Sequence, residues 1–148
     1  MSNIDWSQIV TAKARAEGAL REARIKARQT LADALDAHAE VLSGERSLTE
    51  CLSWQSKEQA AHRLLADCVT AEDIAPLQAE ADQAGETVQD LAQKIVAKAA
   101  SFRLLSGHLA GLRRRYDRYI SEAKTASELG DLQASLAKDL EQIRADNT

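Results

Sequence analysis

Apolar residues recur between Val88 and Tyr119 with spacings that alternate between three and four positions. The set is Val88, Leu91, Ile95, Phe102, Leu105, Leu109, Leu112, Tyr116 and Tyr119, with Lys98 in the remaining slot. A stripe of this kind predicts a long helix that buries one narrow face against other helices. At about 1.5 Å per residue the segment is roughly 48 Å long, which indicates the central helix of a bundle or coiled coil.

A first helix is expected from Ser7 to Leu42, where Ser43 and Gly44 end it. The residues of its inward face are mostly small, so the burial energy is low and the helix is expected to be stable only against a partner. The C-terminal segment carries a second apolar stripe, formed by Leu129, Leu132, Leu136, Leu140 and Ile143.

Four N-cap signals place the other helices, each a Ser or Thr with an acid or amide three residues later. They are Ser56 with Gln59, Thr70 with Asp73, Thr87 with Asp90, and Thr125 with Glu128. The signals predict helices at about 57–68, 71–84, 88–123 and 126–145, after a connector at 43–55.

The predicted fold is all-α, an elongated helical bundle or coiled coil in a single domain of 148 residues. Its segments are a first long helix (1–42), a connector with a short helical pair (43–85), a long central helix (86–124) and a C-terminal helix (125–148). Hydrophobic residues make up 45% of the chain but aromatic residues only 3%, because the hydrophobic residues are largely alanine. Alanine favours helices that pack closely.

The net charge of −4 is unevenly distributed. The four segments 1–42, 43–85, 86–124 and 125–148 carry 0, −5, +4 and −3, so the basic central helix lies between acidic neighbours. This arrangement favours pairing within the chain over binding of nucleic acid. The sequence contains no apolar run that could span a membrane and begins with no signal peptide, so we expect a cytosolic protein.

The chemistry-bearing residues match no catalytic or metal-binding pattern. Cys51, His62 and Cys68 lack the spacing of a zinc site, while His38 and His108 stand alone. No phosphate-binding glycine loop or nucleophile elbow occurs. We therefore expect no enzyme, no metal and no cofactor.

The densest cationic run is Arg113–Arg115 with Arg118, interleaved with Tyr116 and Tyr119. Arginine and tyrosine are typical of interface anchors, whereas the alternative is a solvated face paired with acidic segments and two core tyrosines. Trp6 and Trp54 are either core residues or partner anchors. Two further alternatives stay open. Lys98 either fixes the register of the packed helices or extends to solvent. Gly107 with Gly111 either allows close helix approach or only weakens the helix.

Two regions resemble a known protein group. The opening IDWSQIVTAKA (4–14) resembles small proteins encoded beside the tail-fibre genes of tailed bacteriophages and prophages. LSWQSKEQAA (52–61), KIVAKAASFR (94–103) and GHLAGLRR (107–114) are similar to the helical region of the same group. Gln55 stands where a proline often follows the tryptophan, and the β-rich insert of some relatives is missing.

The resemblance implies a tail-fibre assembly chaperone that acts in the host cytoplasm and binds a fibre or other tail protein. The alternatives are a minor tail component retained in the virion and a small regulator that binds a host protein. The chain could also form a homo-oligomer, since heptad stripes occur both in helical bundles within one chain and in oligomers. The candidate contact residues are Trp6, Ile9, Ile25, Leu31, Trp54, Arg113, Arg114, Tyr116, Arg118 and Tyr119.

Overall fold

The structure is a computed structural model that describes residues 11–43 and 48–146, without the side chains of 42–52. These residues form α-helices and contain no strand, which confirms the all-α class. The helices are α1 (Ala12–Ser43), α2 (Leu48–Leu65), α3 (Ala71–Ala84), α4 (Val88–Glu122) and α5 (Ala126–Asp146).

Three of the predicted N-caps are confirmed. At Thr70, Thr87 and Thr125 the side-chain oxygen accepts a hydrogen bond from the backbone N–H three residues later, at 3.1–3.3 Å. Each bond satisfies a donor that the first turn of a helix leaves free. The predicted bounds of α3, α4 and α5 agree with the observed ones to within one residue.

The predicted connector at 43–55 is wrong in its second half, because α2 begins at Leu48. Ser56 lies inside this helix and is not an N-cap; its hydroxyl donates to the carbonyl of Ser53 at 2.9 Å. The sequence from Leu48 to Gln55 contains neither glycine nor proline, so nothing interrupts the helix there. The predicted first helix begins too early: α1 starts at Ala12, where the Thr11 hydroxyl accepts a hydrogen bond from the backbone N–H of Ala14 at 3.1 Å, and it continues to Ser43. Ser7 itself lies outside the described residues.

Charged side chains join α2 to α3. The Arg63 guanidinium donates to both carboxylate oxygens of Asp73, at 2.8 and 2.5 Å, and Lys57 lies 2.6 Å from Glu80. Hydrogen bonds from Arg63 and then from Thr70 lower the pKa of Asp73 to about 2. Asp73 therefore caps α3 and fixes the preceding helix at the same time.

The chain divides into two compact units, and α1 and α4 each contribute to both. The α1–α4–α5 unit consists of residues 11–38 and 109–146, and the α2–α3–α4 unit contains the described residues between 39 and 108. Buried in the first are Ala27, Leu31, Leu35, Leu112, Tyr116, Ile120, Ala123, Leu129, Leu136 and Leu140. Buried in the second are Ala60, Ala61, Leu64, Leu77, Ala81, Val88, Leu91 and Ala92. The single-domain organisation stays a prediction.

The apolar stripe of α4 is buried at most of its predicted positions, but Phe102 and Tyr119 are exposed. An α-helix has 3.6 residues per turn, so a 3.5-residue stripe drifts around it by about 20° per heptad. As a result Ile120, and not Tyr119, is buried near the end of the helix. Lys98 is also exposed, and Ala99 occupies the neighbouring buried position.

Candidate protein-binding surface

Two arginines of α1 fix the C-terminal part of α4. Arg24 donates from Nη2 to the carbonyl of Ala123 at 2.6 Å, and Arg28 donates to the hydroxyl of Ser121 at 2.9 Å. The Arg28 Nε also lies 3.8 Å from a carboxylate oxygen of Asp117. Residue numbers rise along one helix as they fall along the other, so the two helices are antiparallel. Arg24 satisfies a carbonyl that the end of α4 leaves free.

The opposite side of α4 is fixed to α5 through Asp139. The Tyr116 hydroxyl donates to this carboxylate at 2.7 Å, and Arg115 forms an ion pair with it. Burial, followed by the hydrogen bond to Asp139, raises the pKa of Tyr116 to about 12. The tyrosine hence stays neutral and holds α5 in register against α4.

A cationic and aromatic surface remains on this part of α4, formed by Arg113, Arg114, Arg118 and Tyr119; we refer to it as the α4 surface. All four side chains are exposed, and 37% of the Tyr119 surface is accessible. Neither Arg113 nor Arg114 forms a hydrogen bond or ion pair with any residue that the structure describes. The Arg118 guanidinium lies 5.5 Å from the centroid of the Tyr119 ring.

The rings of Tyr116 and Tyr119 hold the aromatic part of this surface in place. Their centroids are 5.8 Å apart and the ring planes meet at 75°, an edge-to-face arrangement. Because Tyr116 is buried and hydrogen-bonded to Asp139, it holds the ring of Tyr119 in a fixed orientation. An oriented tyrosine beside unpaired guanidiniums can bind carboxylates and planar groups with little loss of side-chain entropy.

A groove lies between α4 and α5, beside the α4 surface. It has a volume of about 410 Å³ and is lined by Tyr119, Glu122, Ala123, Glu128, Asp131 and Leu132. The Glu128 carboxylate accepts a hydrogen bond from the backbone N–H of Lys124 at 2.7 Å, as part of the cap of α5. The carboxylates of Glu122 and Asp131 have no hydrogen-bond or ion-pair partner among the described residues.

The predicted contact residues fall into four groups, the last of which is buried. Arg113, Arg114, Arg118 and Tyr119 are all exposed on the C-terminal part of α4, where Arg118 lies over the Tyr119 ring, and Ile25 is 62% exposed on α1 of the same unit. Trp6 and Ile9 lie outside the described residues. Trp54 is half-buried in the α2–α3–α4 unit, where the Lys98 ammonium lies 5.6 Å from its ring centroid.

Leu31 and Tyr116 are not surface residues, which corrects their assignment as direct contacts. Each is 3% exposed in the core of the α1–α4–α5 unit. Both occupy inward positions of their helices, and burying their side chains stabilises the unit itself. Tyr116 supports the α4 surface from beneath and does not form part of it.

Sequence reasoning missed the acidic side of this region. Glu122 and Asp131 line the groove from two different helices, nine positions apart in the chain. The available signal was the three-residue interval from Tyr119 to Glu122, which places both on one side of α4. The sequence analysis also did not identify Leu104 of the α2–α3–α4 unit as an exposed apolar residue, because it lies just beside the apolar stripe; it is 58% exposed.

Gly107 and Gly111 do not mediate a close helix approach in this structure. A methyl group built at either position meets no atom within 4 Å outside its own helix. The expectation of a close contact is therefore not met within the described residues, and both glycines face open space.

The part of the chain described by the structure holds no group of three or more His, Cys, Asp and Glu side chains that could bind a metal ion. Among these same helices, none combines the length and apolar character that a membrane span requires. The chain matches no protein-family model, and no curated protein or solved structure is significantly similar to it.

Proposed function

We propose that this chain is a non-enzymatic binding protein that recognises an acidic region of a partner protein through the α4 surface. The observation that carries the proposal is the run of exposed arginines on α4, in which Arg118 lies 5.5 Å from the ring of an oriented tyrosine, Tyr119. Arg115, within the same run, pairs with Asp139, whereas Arg113 and Arg114 have no partner among the described residues. Unpaired guanidiniums next to an aromatic ring are typical of interface anchors.

We further propose that the partner is a phage tail-fibre protein and that the chain is its assembly chaperone in the host cytoplasm. The sequence resemblance of residues 4–14 and of the segments between 52 and 114 supports this identity. A chaperone of a fibrous protein must cover strand edges or apolar regions until assembly is complete. The α4 surface supplies charge for recognition, and Ile25 and Tyr119 supply exposed apolar area.

The heptad stripe also supports a finer proposal on the fold, namely an elongated helical bundle or coiled coil. Sedimentation velocity on the purified chain tests it, because an elongated particle sediments more slowly than a compact one of equal mass. A frictional ratio typical of a compact sphere would contradict the proposal.

Co-expression with the fibre protein encoded beside this chain tests the proposed function. The native chain is expected to increase the soluble fraction of the fibre protein and to elute with it as a complex. The double variant Arg114→Glu and Arg118→Glu is expected to lose both effects, because reversed charges repel acidic residues. Unchanged fibre solubility and separate elution with the native chain would refute the chaperone role.

A matched control keeps this experiment specific. Lys138→Glu and Arg113→Ala change exposed residues of the same unit, but the first lies on α5 and is not part of the α4 surface. Lys138→Glu is expected to behave like the native chain, and Arg113→Ala to show a partial loss. Mass spectrometry of purified virions distinguishes a minor tail component, which stays in the particle, from a chaperone, which leaves it.

A further inference from the structure

The groove between α4 and α5 combines an apolar floor with an acidic rim. Tyr119, Ala123 and Leu132 form the floor, and Glu122, Glu128 and Asp131 contribute the carboxylates. Since the carboxylates of Glu122 and Asp131 have no described partner, the groove carries unpaired negative charge. Its chemical complement is an aliphatic side chain with cationic groups on either side.

The outer face of α1 presents this combination. Ile25 is 62% exposed, Arg21 precedes it by one helical turn, and Lys26 follows it directly. The side chains of Arg21 and Lys26 form no hydrogen bond or ion pair with any described residue. Glu22 lies on the same face and reduces the positive charge without cancelling it.

We propose that the segment Arg21–Lys26 of one copy of this chain docks into the α4–α5 groove of a second copy. Ile25 contacts the floor at Tyr119 and Leu132, while the cations face Glu122 and Asp131. An occupied groove removes an exposed isoleucine and an exposed tyrosine from water, which provides the apolar part of the binding energy.

The position of the two surfaces allows two kinds of association. The segment adjoins the groove on the α1–α4–α5 unit, because Arg24 donates to the carbonyl of Ala123, a residue that lines the groove. Two copies that exchange their segments reciprocally form a closed pair with a two-fold interface. An exchange that passes on to further copies forms a ring or a chain.

Ile25 and Tyr119 also belong to the area proposed to bind the fibre protein, but the test of self-association uses the purified chain alone, so the two proposals can fail separately. Sedimentation velocity across a wide range of protein concentration is expected to show reversible self-association that added salt weakens. Two double variants reverse one side of the contact each: Arg21→Glu with Lys26→Glu, and Glu122→Lys with Asp131→Lys. Each is expected to weaken the association by about tenfold or more, because like charges then face each other.

Mixing the two double variants gives the decisive result. The acidic α1 segment of one then matches the basic groove of the other, and the unchanged surfaces match as well. We expect the mixture to associate with close to the native affinity. Restoration on mixing is not expected if the charges act only through the net charge of the molecule.

A control variant raises the net charge elsewhere by the same amount as Glu122→Lys with Asp131→Lys. Glu72→Lys with Glu141→Lys alters exposed carboxylates that have no described partner, and is expected to leave the association unchanged. Ile25→Ser provides a second test that involves no charge and is expected to weaken the association. A native chain that is monomeric at every concentration, or variants that do not recover on mixing while retaining native helicity, would overturn the proposal.

Discussion

The α1–α4–α5 unit and the α2–α3–α4 unit bury their helices with different side chains. Two of the ten core residues in the first are alanine, against four of the eight in the second. Leucine, isoleucine and tyrosine in the first remove much apolar area from water. Alanine in the second removes less area but lets helix backbones approach closely, so the stability of that core depends more on how well the helix surfaces fit together.

The same contrast extends to the surfaces of the two units. In the α1–α4–α5 unit, Arg28 and Arg115 pair across helices, but Arg113, Arg114 and Arg118 of α4 form no ion pair with a described residue. In the α2–α3–α4 unit, cations are paired across helices, as with Arg63 and Asp73 or Arg103 and Glu58. The unit with the larger core residues thus offers the unpaired charges that a binding partner needs.

Loss of Leu77 should have the largest effect, because it is 1% exposed in a core that has few large side chains. Leu77→Ala is expected to lower the free energy of unfolding by about 3 kcal/mol, measured by denaturant unfolding. Leu104→Ala, at a position 58% exposed, serves as the control and should change it by less than about 0.5 kcal/mol. Equal effects of the two variants would contradict the assigned core.

Enlarging an alanine of the same core should have the second-largest effect on stability. Ala61 is fully buried, so Ala61→Leu is expected to destabilise the protein by about 2 kcal/mol through overpacking. The matched change Ala137→Leu lies on an exposed position of α5 and should be close to neutral. Thermal unfolding followed by circular dichroism measures both, and a neutral Ala61→Leu would show that the helices are not closely packed there.

The hydrogen bond between Tyr116 and Asp139 gives a smaller, pH-dependent effect. Tyr116→Phe is expected to cost about 1 kcal/mol at neutral pH, while Arg115 still pairs with Asp139. The folded pKa of about 12 lies above the ordinary value of 10.0, so the native tyrosine stabilises the fold fully below pH 10. Its contribution is lost as the pH rises toward 12, because the unfolded chain releases its proton first.

Unfolding curves recorded in this alkaline range test the assignment. The native chain should lose stability between about pH 10 and 12, and Tyr116→Phe should show less of this loss. Tyr119→Phe is the control, since the bond to Asp139 is then intact. An identical pH dependence in Tyr116→Phe and the native chain would show that this hydrogen bond does not form.

The smallest effect is expected at a glycine of α4. Gly111→Ala should stabilise the protein by about 0.5–1 kcal/mol, because the position is helical and a methyl group meets nothing within 4 Å. Gly85→Ala is the opposite case and should cost about 1 kcal/mol, since Gly85 ends α3 with a φ of 71°. A destabilising Gly111→Ala would indicate that a partner helix packs against this face.

The helices could be predicted from the sequence wherever short-range interactions determine them. The caps at Thr70, Thr87 and Thr125 each depend on a bond that spans three residues, so the local sequence contains all the necessary information. Ser56 fits the same pattern, yet it lies within α2, because a continuous run of helix-forming residues outweighs a cap signal.

Features that depend on distant residues could not be predicted. The sequence identifies the arginines of α4 but does not show which of them are paired, since Asp139 lies 24 residues beyond Arg115. The burial of Tyr116 and the exposure of Tyr119 follow from the drift of the stripe around α4. The carboxylates of the groove come from two helices, and only the packing of α5 against α4 brings them together.

Calorimetric titration of the purified chain with the purified fibre protein tests most directly whether the α4 surface is a binding site. The native chain and Lys138→Glu are expected to bind with equal affinity, and Arg114→Glu with Arg118→Glu to bind at least about tenfold more weakly. Equal affinity of all three proteins, or no heat of binding with the native chain, would contradict the assignment of this surface.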